Sequence, residues 1–353
     1  MKMLPIAEVM VSAALVAGCG LLAARAEDPE QAEPKTRAAI DAAYDRELLQ
    51  VERRRLDRLA RLATGQPKDE ANQTYEDYFK IAITRNLFSE AEPVAERVLK
   101  SADASTRVQF LAHLVNIIAE ADRGAYQESL DSLLAAIRSG PKGAAAEADA
   151  VLPVETRLSI IDAYFQKLVR ADQFAIARKA LHAIGDRAEN PAVKSLVARR
   201  LQQLDLVGKP APPITGKDVD GQPVRLTDYK GDVVLVVFWA SWCIPCAQQV
   251  AWLDQVYAQY RDRGFHILGV NLDALQEGGQ NLEMVMPNIR RFLLDYNIPW
   301  PNLIDTPGDR SIARAYNVAE IPANFLIGRD GKVIHLALNG SNAEQVVAKA
   351  VGR

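Results

Sequence analysis

Apolar positions along this chain follow two regimes. From about Thr36 to Leu206 they recur three and four residues apart, as in Tyr75-Tyr78-Ile81, Val108-Leu111-Leu114-Val115-Ile118, Leu130-Leu133-Leu134-Ile137 and Ile160-Ile161-Tyr164-Phe165-Leu168. That spacing puts an apolar stripe along one face of a helix. Loop signals such as Ser139-Gly140-Pro141-Lys142-Gly143 and Gly185-Asp186 separate helix-length segments, and no strand-like alternation interrupts them. The pattern predicts an all-helical region of antiparallel hairpins. Next comes Leu206-Val207-Gly208-Lys209-Pro210-Ala211-Pro212-Pro213, which reads as a stiff, extended linker.

Beyond the linker the period alternates between strand and helix. Val233–Trp239 is a continuous apolar run, as expected for the centre of a sheet covered on both faces. Cys246–Tyr260 then reads as a helix with Val250, Leu253, Val256 and Tyr257 on one stripe, and His266–Leu272 as the next buried strand. Gln276–Gln280, with Gly278-Gly279, reads as a loop and Pro287–Tyr296 as a helix turning Ile289, Phe292 and Leu293 inward. A short helix is predicted over Ser311–Tyr316. Asn324–Ile327 and Val333–Ala337 form a hairpin through Arg329-Asp330-Gly331, and Asn342–Val351 is a closing helix.

Three places in the helical region put an aromatic just ahead of a small residue at a helix start: Phe88 before Ser89, Tyr126 in Ala125-Tyr126-Gln127-Glu128-Ser129, and Phe174 before Ala175. They suggest helical-hairpin repeats. Tetratricopeptide units recur at about 34 residues, and these anchors are wider and uneven. A TPR-like array and an irregular helical bundle both stay open.

The N-terminus reads as an export signal. Lys2 precedes a mostly small and apolar stretch from Val9 to Ala24. Ala24-Arg25-Ala26 before Glu27 fits a signal-peptidase site, whereas Val16-Ala17-Gly18-Cys19 looks like a lipobox that would leave Cys19 lipidated. The stretch is short for a membrane span of about 20 residues. The layout is then a signal peptide over 1–26, a flexible acidic tether over 27–35, the all-helical domain over 36–205 and a second domain over 206–353. The expected location is the periplasm or cell envelope.

The net charge of −3 and the even spread of basic residues give no footprint for nucleic acid. Arg53-Arg54-Arg55 with Arg58 and Arg61 is the densest basic run. Leu56, Leu59 and Leu62 lie beside it at helical spacing, so it reads as a solvated helix face.

The chemistry concentrates in Phe238-Trp239-Ala240-Ser241-Trp242-Cys243-Ile244-Pro245-Cys246, at the junction of a buried strand and a helix. A cysteine at a helix N-terminus meets unpaired N–H groups and the helix dipole, both of which favour thiolate. Such a site can lower a thiol pKa from ~8.5 to about 3.5–7.5. The rival reading of C-x-x-C as half a zinc site needs two further ligands. There is no second cysteine pair, and His113, His182, His266 and His335 are scattered without ligand spacing. No metal is expected, and a C-x-x-C beside a βαβ pattern favours redox chemistry. Of three cysteines, Cys19 is removed or lipidated on the export reading, which leaves a single pair suited to exchange. Pro245 between the cysteines stiffens the turn and has no N–H to donate.

From about Leu206 to Arg353 the chain resembles the thioredoxin-like superfamily, and within it the exported TlpA/ResA-type thiol–disulfide oxidoreductases. The segments that carry this are Gly208-Lys209-Pro210-Ala211-Pro212 with Leu226-Thr227-Asp228-Tyr229-Lys230-Gly231, then Phe238–Cys246. The third is Tyr316-Asn317-Val318-Ala319-Glu320-Ile321-Pro322-Ala323-Asn324-Phe325-Leu326-Ile327 ahead of Gly328–Ile334. The resemblance implies an α/β thioredoxin-like domain there, which with the all-α domain read from the periodicity before it makes a multi-domain fold. It implies Cys243 as the attacking thiol, Cys246 as the resolving thiol and Pro322 as a cis-proline facing them. The backbone of Ile321 would then pair with a substrate chain as a short extra strand. Trp242 would offer an apolar docking face, or else pack in the core. Expected substrates are protein thiols and disulfides, with the enzyme acting as reductant, for example on apo-cytochrome c thiols, and no metal or organic cofactor. A membrane electron donor and a protein partner for the helical domain stay open.

Three departures from the family pattern stand out. Val237 occupies the position of thioredoxin's buried Asp, Gln249 that of a Glu common in ResA-type relatives, and Ile244-Pro245 replaces Gly-Pro. The first two remove the expected proton acceptor for Cys246. Two other readings are a thiol peroxidase, against which Ala240 stands where a Thr is needed, and a helical interaction protein with an inactive scaffold domain.

Overall fold

The computed structural model describes residues 37–139, 151–275 and 281–352. The expected signal peptide and tether, Cys19, most of the Ser139–Gly143 loop and the Gln276–Gln280 loop lie outside them. The chain divides into two compact units, Met1–Arg54 and Arg55–Arg353. Helix α1 is Arg37–Thr64. The helices that follow in the second unit are α2 (Lys68–Thr84), α3 (Phe88–Leu99), α4 (Thr106–Asp122), α5 (Tyr126–Ser139), α6 (Val154–Arg170), α7 (Phe174–Arg187) and α8 (Pro191–Leu204). Phe79, Leu87, Leu111, Phe165 and Leu168 fill the space between them.

The three aromatic anchors share one local geometry. Phe88, Tyr126 and Phe174 each begin a helix. Each follows a turn with a left-handed residue, Asn86 (φ 55°), Gly124 (φ 83°) or Asp172 (φ 58°). The next residue bonds back to the preceding helix: Leu87 N–H to the Ala82 carbonyl at 2.8 Å, Ala125 to Glu120 at 2.9 Å and Gln173 to Leu168 at 2.9 Å. This closes each helix in a Schellman-type turn, which Asn, Gly and Asp tolerate best.

The remainder is a mixed sheet flanked by helices. Strands β1 (Thr215–Lys217) and β2 (Pro223–Arg225) form a small antiparallel pair. The main sheet uses β3 (Val233–Trp239), β4 (Phe265–Asn271), β5 (Asn302–Ile304), β6 (Ala323–Ile327) and β7 (Val333–Leu336), in the order β5-β4-β3-β6-β7. β3, β4 and β5 run parallel, and β6 and β7 antiparallel to their neighbours. The helices are α9 (Ile244–Tyr260), α10 (Leu282–Asp295), α11 (Ile312–Ala315) and α12 (Ala343–Val351). All seven residues of β3 are buried, as a central strand requires. Because β3 and β4 are parallel, the loops that leave their C-terminal ends emerge side by side. In open α/β sheets that edge is where ligands bind.

Several details differ from the sequence pattern. Helix α9 begins at Ile244, with Pro245 in its first turn, where the missing N–H costs nothing. Helix α10 begins five residues before Pro287, because the Asn281 side chain accepts from Glu283 N–H at 3.2 Å and caps it there. β1, β2 and β5 have three residues each, too few to show a period. The segment after α8 is strapped to the sheet edge. Gly208 N–H donates to the Val333 carbonyl at 2.8 Å, Val333 N–H to Lys209 at 3.0 Å and Ala211 N–H to Gly331 at 2.9 Å. No helix among the described residues is long and apolar enough to cross a membrane.

Candidate functional site

Cys243 is the N-cap of α9. Its Sγ accepts the Cys246 N–H at 3.2 Å, taking up one of the donors that a helix start leaves unpaired. Among the described residues this is the only hydrogen bond to either sulfur. The two cysteines are disulfide-bonded, with Cα atoms 5.2 Å apart, and both are buried. The turn around them is not. Trp242 is 55 % exposed and Ile244 72 %, so Trp242 is not a core residue and the pair sits behind an exposed apolar rim.

A carboxylate invisible to the sequence reading holds this turn. Asp273, buried at the end of β4, accepts the Ser241 N–H at 2.8 Å and the Ser241 hydroxyl at 2.5 Å. The Asn271 amide donates to the same carboxylate at 3.1 Å, and the Asn271 Oδ1 accepts the Asp273 N–H at 3.0 Å. Three donors converge on one buried acid, which is how a buried charge is tolerated. The available signal was its place, an acidic residue directly after a buried strand parallel to the one that carries the cysteines.

Ile321-Pro322 lies just ahead of β6, and its peptide bond is cis. Ile321 packs against the same buried cluster as Cys243 and Cys246, while Pro322 is exposed. Ile321 makes no backbone–backbone hydrogen bond among the described residues. The segment leading to it starts from a second buried carboxylate. Asp305 accepts from the backbone of Thr306 (3.0 Å), Ile312 (3.0 Å) and Ala313 (2.7 Å) and from the Ser311 hydroxyl (2.9 Å). After the proline, Asn324 exchanges two hydrogen bonds with the Leu338 backbone, at 2.9 and 2.8 Å.

The positions that lack family carboxylates are occupied by neutral side chains. Val237 is buried within β3, paired with Asn324. Gln249, one turn past Cys246 on α9, is buried, and its Nε2 has no partner among the described residues. Among the described residues, no group of three or more His, Cys, Asp or Glu side chains is arranged to hold a metal ion. The sequence-derived residues therefore gather in two places: Trp242, Cys243, Pro245 and Cys246 at the start of α9, and Ile321 and Pro322 at the start of β6. The shared core cluster joins them.

A central strand running into a cysteine-capped helix, in a mixed sheet with a cis-proline ahead of the neighbouring antiparallel strand, defines a thioredoxin-like protein. Residues 207–336 match the AhpC/TSA family. Thiol-disulfide oxidoreductase ResA of Bacillus thuringiensis subsp. konkukian (strain 97-27) is 30 % identical over 140 residues, which is 40 % of this chain and 74 % of the relative. The ResA of Bacillus subtilis (strain 168) is 29 % identical over 140 residues, 40 % of this chain and 71 % of that protein. The solved thioredoxin domain of a thiol-disulfide oxidoreductase from Bacteroides vulgatus shares 28 % identity over 41 % of this chain and 98 % of its own, with a TM-score of 0.36. The chain belongs to the ResA-type thiol–disulfide oxidoreductases, and its chemistry is thiol–disulfide exchange.

Proposed function

We propose that this is an exported oxidoreductase that exchanges its Cys243–Cys246 pair with protein partners, acting as reductant. The observation that supports it is the capping geometry: a cysteine Sγ at the mouth of α9, accepting a backbone N–H and bonded to the cysteine one turn on. The N–H that this sulfur accepts, together with the helix dipole, favours its anion once the bridge opens.

In the reduced enzyme the Cys243 thiolate attacks one sulfur of a partner disulfide. That S–S bond breaks, the partner's other sulfur leaves as thiolate and takes a proton, and a mixed disulfide remains. Cys246 then loses its proton and attacks the Cys243 sulfur. The partner's second thiol is released and the enzyme disulfide closes, so the partner gains two electrons and the enzyme loses two. With Val237 and Gln249 in place of carboxylates, the Cys246 proton passes to water or to a group on the partner. An external dithiol donor then resets the pair; a membrane-bound one fits the export reading. Trp242 and Ile244 give the partner an apolar footing beside the sulfur, and the free backbone of Ile321 gives it a strand to pair with.

On this reading 206–353 carries the chemistry, and 36–205 is a partner-facing helical domain. Cys243→Ser should abolish insulin disulfide reduction, whereas Cys246→Ala should accumulate partners as mixed disulfides on a non-reducing gel. Full reductase activity in the Cys243 variant would refute the assignment. A peroxide-consumption assay separates this chemistry from that of a thiol peroxidase; Ala240 offers no hydroxyl to orient a peroxide.

A further inference from the structure

A cavity of about 370 Å³ opens beside Pro322. One wall comes from the sheet half of the unit: Ile321, Pro322, Trp252 and Gln249. The helical half contributes Asp162, Arg170 and Arg200, from α6 and α8.

The charges on the helical wall are unevenly engaged. Arg200, 7 % exposed, lies over the Phe165 ring and is fully committed. Its Nε donates to Asp162 at 2.7 Å, its Nη2 to Glu320 at 2.8 Å and its Nη1 to Gln203 at 3.0 Å. Both carboxylates at the cavity thus converge on one guanidinium. Arg170 is left with no hydrogen bond or ion pair from its side chain among the described residues. Asp162, an acid that acts on it electrostatically, is already held by Arg200. On the sheet half, Gln249 Nε2 is a buried donor with no partner among the described residues. Leaving such a donor unmet in the resting protein is unfavourable, and rotation of the amide toward an acceptor in the cavity relieves it. Arg170 and Gln249 line the same cavity as Ile321, whose backbone is unpaired among the described residues, and together they call for an extended chain with an anionic side group.

We infer that the helical half builds the second wall of the substrate groove, and that Arg170, with Gln249, selects partner segments carrying an Asp or Glu near the reacting cysteine. This rests on the oxidoreductase reading and specifies its substrates. Arg170 is a specificity-determining residue here, because it touches the bound segment and not the sulfurs.

The test uses the full chain and matched peptide disulfides in which one residue flanking the cysteine is Glu or Gln, scanned over the neighbouring positions. At one register, wild type should reduce the Glu peptide with a kcat/KM about tenfold above the Gln peptide, the factor carried by a single charge-assisted hydrogen bond. The gain should lie in KM and shrink as ionic strength rises. In Arg170→Gln the ratio should fall to about one, and Arg170→Lys should retain part of it. A ratio of one at every register in wild type, or an unchanged ratio in Arg170→Gln, overturns the inference. A small aromatic disulfide without a peptide backbone separates the two levels of failure. Wild type reducing it while treating both peptides alike sinks only the groove, whereas wild type reducing neither sinks the oxidoreductase reading and this inference with it. Should Arg170→Gln not fold, the salt dependence of the wild-type ratio decides alone: a preference that ignores ionic strength refutes a role for Arg170.

Discussion

Ser241 offers both its backbone N–H and its hydroxyl to one carboxylate, that of Asp273, and this fixes the residues between the end of β3 and Cys243. Replacing Asp273 by Ala would strand the Ser241 N–H and the Asn271 amide in a buried place. Each orphaned donor costs about 1–3 kcal/mol, so a urea titration should show a loss of that order. Asp273→Asn keeps an acceptor for Ser241 and should lose less. Equal midpoints for wild type and Asp273→Ala would mean that the clamp holds nothing. Trp242 behaves in the opposite way. At 55 % exposure it contributes little to the core, so Trp242→Ala should leave the unfolding midpoint within about 0.5 kcal/mol of wild type, as surface changes do. If Trp242 gives partners the proposed apolar footing, the same variant should raise KM for protein substrates. A large stability loss with unchanged KM would return Trp242 to a packing role.

At the scale of elements, β7 meets the turn between α6 and α7 through a buried histidine. His335 is 1 % exposed, and its Nε2 lies 3.3 Å from Asp172, within ion-pair range. The Phe174 ring stands edge-on at 5.8 Å, and Lys349 on α12 adds a like charge. Burial therefore wins over Asp172 and the Leu336 backbone, and the His335 pKa falls below the ordinary value of 6.5. With the folded value depressed, the unfolded chain binds the extra proton first. Stability is then complete above about pH 6.5 and declines as pH drops toward the folded value. His113, also lowered by burial, acts in the same direction. Urea midpoints at pH 7.5 and 5.5 should show this loss, and His335→Leu should reduce its slope; an unchanged slope would mean that another group controls the acid response. Which elements could be read from the sequence follows the same physics. The seven-residue run of β3 and the apolar stripes of α4 and α6 are long enough to show a period, and the cysteine pair is a local motif. Asp273, Asp305 and His335 matter through partners that folding alone brings close, and strands of three residues carry no period. Arg200 looks like one more helix-face base until Glu320 is placed beside it.

In the molecule as a whole, the helical half and the sheet half are tied by a small set of polar contacts around the groove. Gln203 Nε2 donates to the Asn317 carbonyl at 2.9 Å, Arg199 and Arg200 both reach Glu320, and the Asn342 amide donates to the Arg170 carbonyl at 3.1 Å. The strap over Gly208–Ala211 adds backbone bonds to β7 and its turn. If these ties couple the halves, Arg55–Arg353 unfolds as one cooperative unit. The sequence supplies the probes. All four tryptophans, Trp239, Trp242, Trp252 and Trp300, lie in the sheet half, so their fluorescence follows that half, while far-UV circular dichroism is dominated by the helices. The two signals should give coincident urea transitions. Arg200→Met keeps the stem over Phe165 but removes the bonds to Asp162, Glu320 and Gln203; charge-assisted bonds of this kind contribute about 1.5–3 kcal/mol each, and less where the acid is as exposed as Glu320. Both midpoints should fall together in that variant. Two separated transitions in wild type would make the helical half an independent domain, and a shift confined to circular dichroism in Arg200→Met would show that Glu320 and the segment leading to Pro322 hold their place without it.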